Sequence, residues 1–173
     1  RPVQYLIQEC LDDNLAWKSD VPENHPFKVV YDKVQNIIKY ADKSLPFNFD
    51  DKFSVLQKPP YGLYGSFAAM AMMAFALRPW ANKIFDMQGK PRDKNALIDD
   101  IVWLFKVWDD KKSSSKLNFK FQTPEEGKLC KDLVSLFKLN NKNNDYSDVT
   151  SLKDARYAIT AEFLGKKGYP LWT

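Results

Sequence analysis

One histidine stands in the 173 residues, His25, between Asn24 and Pro26. Imidazole exchanges protons near neutral pH, so Ser–His–Asp or Cys–His chemistry in this chain would rest on that residue alone. The two cysteines, Cys10 and Cys130, lie far apart and neither belongs to a CxxC pair. No zinc spacing is present, and two thiols make no disulfide framework. The residue types predict reduced core or half-buried thiols of a cytosolic protein, and a surface histidine just ahead of a helix. Acidic doublets recur at Asp12-Asp13, Asp50-Asp51, Asp99-Asp100, Asp109-Asp110 and Glu125-Glu126. Paired carboxylates bind Mg²⁺ or divide acid and base duties. Two of these pairs open predicted helices, where negative charge suits the macrodipole. Asp99 and Asp100 are expected on the wet side of an amphipathic helix, so the doublets read as solvated structure.

Glu126-Gly127-Lys128 has the Glu-x-Lys spacing of a metal-dependent nuclease, just after a strand. That chemistry needs both side chains on the strand itself, and here both fall inside a helix start. Neither GxxxxGK[ST] nor GxGxxG occurs, so no phosphate cradle of those kinds is available. Neither a cofactor nor a metal is expected. His25 and the Glu126/Lys128 pair are the only candidates for catalysis, and neither makes a strong case for an enzyme.

The positive charges offer a different chemistry. The net charge is only +4, from 26 basic and 22 acidic residues. The better basic sets are Lys128, Lys131 and Lys138 on one helix, and Lys153, Arg156, Lys166 and Lys167 near the end. They are the candidate nucleic-acid contacts, although Glu125, Asp132, Asp154 and Glu162 dilute them. The candidates for protein contact are aromatic: Tyr61 and Tyr64 in "KPPYGLYGS", and Tyr169 and Trp172 in the last residues.

These residues must be carried by helices. Phe27, Val30, Tyr31, Val34, Ile37, Ile38 and Ala41 keep an i, i+3, i+4, i+7 rhythm behind Pro26 at the first helical position. Residues 3–17 show a looser helical spacing. Asp50 is a candidate cap for a short turn through "DKFSVLQ", Ser66 for a helix from Phe67 to about Arg78, and Asp93 for a helix through Trp108. "DMQGKPRD" reads as a turn. "LNFKFQ" alternates Leu117, Phe119 and Phe121 with polar residues, the period of a half-buried strand. Thr123-Pro124-Glu125-Glu126 combines an N-cap, proline at N1 and the reciprocal glutamate of a capping box. Ser151 opens a last helix, closed by Gly165.

The segment from Phe67 to Leu77 holds eleven residues without a charge. As a helix it spans about 16 Å, against roughly 30 Å of bilayer hydrocarbon, so a membrane span is excluded on length. A helix apolar on all sides is normally enclosed by others. The predicted fold is therefore mainly α: a multi-helix domain around a buried central helix at about 66–78, with a small β element near 117–122. A winged-helix-like centre is the variant that would serve DNA, with the helix after "GKPRD" as reader. That helix carries Lys94 and Lys106 but also four aspartates. One domain spans 1–173, with a possible N-terminal helical lobe at 1–57 and a helical core at 58–173. The chain starts at Arg1, shows no targeting segment and stops at "KKGYPLWT"; a fragment of a longer cytoplasmic polypeptide is the expectation.

Two phrases, "KPPYGLYGSFAAMAMMAFALR" (58–78) and "SLKDARYAITAEFLGKKGYPLW" (151–172), resemble accessory, non-nucleotide-binding regions of very large multidomain prokaryotic ATPases, including phage-defence types. The resemblance implies an accessory helical module whose ATP chemistry lies elsewhere in the parent chain, and it assigns no ATP site to any residue here. The expected role is a non-catalytic interaction or regulatory module. Its partner would be the rest of the parent polypeptide or another protein. A nucleic-acid-binding module of a DNA-processing or defence ATPase is the alternative.

Overall fold

A polar side chain caps most of the helices in the computed structural model, which describes residues 2–111, 116–139, 149 and 151–161. Among these, seven α-helices surround a small sheet: α1 (Pro2–Cys10), α2 (Pro26–Lys39), α3 (Phe49–Phe53), α4 (Phe67–Leu77), α5 (Lys94–Asp109), α6 (Pro124–Phe137) and α7 (Leu152–Ile159). The strands are β1 (Phe47–Asn48), β2 (Ile84–Asp86) and β3 (Asn118–Phe121), in the antiparallel order β1-β3-β2. Phe47 pairs with Phe119, and Ile84 with Phe121. The chain is thus mainly helical with a small β element, as its periodicities predict.

Most caps are the predicted ones. Ser66 Oγ accepts from the Ala69 amide at 3.2 Å, and Asp93 Oδ1 from the Ala96 amide at 2.8 Å. Thr123 and Glu126 exchange both bonds of a capping box. Ser151 Oγ accepts from the Asp154 amide at 3.1 Å. The cap of α3 differs from expectation: Asn48 accepts from the amides of Asp50 and Asp51. Asp50 is instead an acceptor for the Trp108 indole N–H, at 2.7 Å. The asparagine already stands in extended backbone at the end of β1, the geometry an N-cap needs.

The helix expected over 3–17 stops at Cys10. Asp12 Oδ1 accepts from the amides of Asn14 and Ala16, both at 2.9 Å, and Leu15 turns through φ 59°. An Asp side chain that bonds the backbone ahead of it competes with helix, and here it wins. The turn in "DMQGKPRD" is a short hairpin in which Asp86 Oδ1 accepts from Gln88 and Lys90 amides and Gly89 supplies φ 81°. The topology also departs from a winged helix. The strand after α5 is single, sits in the middle of the sheet, and pairs with two strands that precede α5. A wing needs a hairpin directly behind its reader helix.

Three apolar clusters follow. The main one joins Val30, Val34 and Ile38 of α2, Phe49 and Phe53 of α3, Met73 and Leu77 of α4, Leu104 and Phe105 of α5, and Phe119 and Phe121 of β3. It draws on residues either side of position 57. A second holds Cys130, Leu139, Val149, Ala155, Ala158 and Ile159 between α6 and α7. A third seats Cys10, Leu11, Val21 and Phe27 beneath α1. Trp17, Phe27, Tyr31 and Phe75 meet edge to face or tilted, at centroid distances of 5.0–5.7 Å. Gln35 ties α2 to the end of α4: its amide donates to the Ala76 carbonyl at 2.5 Å and its oxygen accepts from the Trp80 indole at 3.0 Å. Among the described residues no helix is long and apolar enough to cross a membrane.

Candidate interaction surface

The α4 sequence, "FAAMAMMAFAL", contains no polar residue to mark a wet side. Helices α1, α2 and α5 pack against it, so it is central. Its enclosure is open at one end: Phe67 is the one exposed residue of the helix, and the others are buried or half-buried. Ala69, Met73, Ala76 and Leu77 are buried. The line Phe67–Ala71–Ala74–Arg78 follows helical spacing on the other side. Phe67 is 85% exposed, Ala71 and Ala74 are half-buried, and Arg78 is exposed.

Helix α5 supplies the second wall. Leu97, Ile101, Leu104, Phe105 and Trp108 point inward, while Ile98 (48%) and Val102 (47%) stay exposed one turn apart. The helices run antiparallel. Ala74 and Arg78 share a groove with Lys94 and Ile98 at one end. At the other, a Cβ on Gly65 would lie 2.0 Å from Asp109 Oδ2. That groove measures about 230 Å³ and is floored by Ala74, Ala81, Leu97 and Ile101. Leu15, held out by its left-handed turn, closes it.

The aromatic candidates near this face divide. Tyr64 is 71% exposed, while Tyr61 is half-buried with Lys33 Nζ 5.9 Å from its ring centre. Tyr169 and Trp172 lie outside the described residues, as do Lys166 and Lys167. Among the basic candidates, Lys128 and Lys131 are exposed on α6 and line a separate groove of about 760 Å³ with Pro124, Cys130 and Val134. Lys138 is the left-handed residue that closes α6, and Arg156 is exposed on α7. Neither joins Lys128 and Lys131 along that groove.

The catalytic candidates are occupied structurally. His25 is more than a surface residue: its Nδ1 accepts from the Phe27 amide at 3.2 Å and caps α2. Cys10 Sγ lies 3.5 Å from that nitrogen, and Glu9 Oε1 lies 3.8 Å from Nε2. This has the composition of a Cys–His–carboxylate triad, but Cys10 is fully buried. Burial, and then the Glu9 charge, raises its thiol pKa, with Lys18 opposing. A nucleophilic thiolate needs access and a lowered pKa. Cys130 is likewise buried and unbridged, its thiol raised by burial and by Asp154. Glu126 is held by the Thr123 amide at 3.1 Å and by Lys120 Nζ at 3.2 Å, rather than by Lys128. Among the described residues no cluster of three His, Cys, Asp or Glu could hold a metal.

One carboxylate was misplaced by its sequence. Asp100 is buried, not on the wet side of α5. Arg92 grips it with two bonds, Nε to Oδ2 at 2.8 Å and Nη2 to Oδ1 at 2.7 Å. The Arg92 backbone is fixed beside β2, donating to the Ile84 carbonyl and accepting from the Asn82 amide, both at 2.8 Å. Burial pushes the Asp100 carboxyl above its ordinary 3.8, Arg92 opposes this, and Asp99 and Asp86 add to it. For Glu126 the Thr123 amide leads and holds the carboxyl below its ordinary 4.5, with burial opposing and Lys120 helping.

These two shifts predict opposite pH dependences. A raised acid contributes most below its ordinary pKa, and that contribution is lost as pH rises through the folded value. A lowered acid contributes above its ordinary pKa and loses it as pH falls through the folded value. Urea midpoints for wild type, Asp100→Asn and Glu126→Gln between about pH 7 and about pH 3.5 should show this. On acidification, wild type gains relative to the first variant and loses relative to the second. Parallel trends would contradict the assignment.

No protein-family model, no curated protein and no solved structure matches this chain.

Proposed function

We propose that this chain is a protein-interaction module that works through the α4/α5 face and leaves catalysis to other polypeptide. The observation that carries this reading is the apolar groove lined by Leu15, Ala74, Leu97 and Ile101, with Ile98 exposed on its rim and Val102 exposed one turn further along α5. Exposed apolar side chains scattered singly are ordinary, but an apolar groove between two helices with an exposed apolar rim is what a partner helix or loop would cover. The likeness of 58–78 and 151–172 to accessory regions of large prokaryotic ATPases fits a regulatory module inside a larger protein. Its partner would then be the rest of that protein or a separate chain.

Selection from a displayed random-peptide library tests this. Wild type and Leu136→Glu, which alters an exposed leucine on α6, should enrich the same apolar peptides; Ile98→Glu should not. Enrichment that ignores Ile98→Glu, or none on wild type, would refute the assignment of this face.

The second reading is a nucleic-acid contact. It has one observation in its favour, the pairing of Lys128 and Lys131 along the α6 groove. Salt-sensitive affinity for single- or double-stranded DNA that falls in Lys128→Ala/Lys131→Ala would favour it over the protein-interaction reading.

A further inference from the structure

We infer that the occupant of the α4/α5 groove is an amphipathic helix that carries acidic residues at one end, seated against Arg78 and Lys94. The inference rests on the interaction reading above and adds the partner's secondary structure, its charge and its direction.

The backbone chemistry of the walls selects a helix. The long walls are helices, α4 and α5, whose interior main-chain groups are bonded within themselves, while Leu15, Arg78 and Ala81 complete the lining from outside them. A strand laid in this groove would find no free edge to pair with, and its own N–H and C=O groups would be shielded from water without partners. A helix brings its backbone bonds with it. The floor favours the same answer: Ala74 and Ala81 are small, and small residues let a third helix approach to the usual 8–10 Å or so between axes.

The charges at the two ends differ. At one end the groove is lined by Arg78 and Lys94, both exposed, and by no acidic side chain. Arg78 sits with its guanidinium 5.0 Å from the Phe75 ring centre, which holds it beside the apolar floor. Lys94 is the first residue of α5, where the helix dipole disfavours a cation. The positive end of α5 therefore adds to both side chains. Towards the other end the exposed face of α5 is mixed. Lys106 lies 5.5 Å from the Trp103 ring centre, and Asp109 stands beside Gly65. A partner with carboxylates at both ends would meet Asp109, whereas one with carboxylates at the Arg78/Lys94 end meets both cations, the neighbouring Asp93 being turned to cap the Ala96 amide. Charge thus fixes orientation, and the apolar row between Lys94 and Val102, about 12 Å long at helical rise, fixes the length of the apolar stripe at two turns or slightly more.

Two synthetic helical peptides test this, identical in a leucine stripe at i, i+3, i+4, i+7. One carries three glutamates in its terminal turn and the other three lysines. Fluorescence anisotropy at about 20 mM salt should show the glutamate peptide binding wild type roughly tenfold or more tightly than the lysine peptide, with the gap shrinking by about 500 mM. The Arg78→Glu/Lys94→Glu protein should reverse the order. Equal binding of both peptides to wild type, or a preference unchanged in the double variant, overturns the acidic-helix assignment and leaves the groove as an apolar interaction site. Binding of neither peptide, with the protein shown folded by circular dichroism, overturns both the assignment and the interaction reading beneath it.

Discussion

Replacing Arg92 with alanine should cost about 3–5 kcal/mol of folding stability, a large share of the roughly 5–15 kcal/mol that holds a domain of this size together. The loss comes less from the missing attraction than from what remains. Asp100 sits on the inner side of α5 with both oxygens committed to the guanidinium, and without Arg92 its charge is left in a place that water does not reach freely. The carboxyl has an escape, because it can take up a proton. Its pKa, already raised by burial, would rise further once the Arg92 charge is gone. The penalty in Arg92→Ala should therefore shrink as pH falls, and Asp100→Asn added to it should restore stability at neutral pH. A joint replacement, Arg92→Met with Asp100→Leu, should come out close to wild type, since a buried ion pair is often no better than well-packed apolar residues of similar volume. Chemical denaturation of the four proteins at two pH values measures all of this. A loss under about 1 kcal/mol for Arg92→Ala would mean that Asp100 is well hydrated after all.

The second large effect lies on α4. Met73→Ala should cost about 2–5 kcal/mol, and Phe67→Ala less than about 0.5 kcal/mol, although phenylalanine is the bigger side chain. Met73 is 0% exposed at the crossing of α4 with its neighbours, and its truncation leaves a cavity that the surrounding phenylalanines and leucines fill only in part. Phe67 is 85% exposed and its ring already faces water. The pair of variants compares two positions on one helix with the same apolar character. Thermal or urea unfolding decides it, and equal costs would remove the uneven enclosure of α4 on which the interaction surface depends.

That contrast shows where reading the sequence succeeds and where it stops. Ser66, Asp93, Thr123 and Ser151 are legible as caps because the group each one binds lies three residues away, within reach of local pattern. The strand at Asn118–Phe121 is legible because its period of two contrasts apolar with polar residues. Helix α4 has no such contrast. Its helicity follows from alanine and methionine, but eleven apolar residues carry no sign of how deeply each is covered, so the groove beside Ala74 and Arg78 emerges only when α5 is placed beside it. Asp100 fails for a related reason. Its partner, Arg92, stands outside the helix and is delivered by the β2 hairpin, a contact with no periodic signature. The Asp12 turn defeats the 3–17 helix because one side-chain bond outweighs a weak apolar rhythm. His25 reads as a surface residue because nothing in the sequence brings Cys10 and Glu9 back to meet it.

The division of the apolar interior has its own consequence. Among the described residues, helices α6 and α7 close over six buried residues of their own, apart from the twenty that form the main cluster. Free energy of opening scales with the apolar surface that must be exposed, so the smaller unit can come apart without the larger one following. The expected result is that α2, α4 and α5 hold the slowest amide protons, while the α6–α7 pair trades its protons on a faster clock.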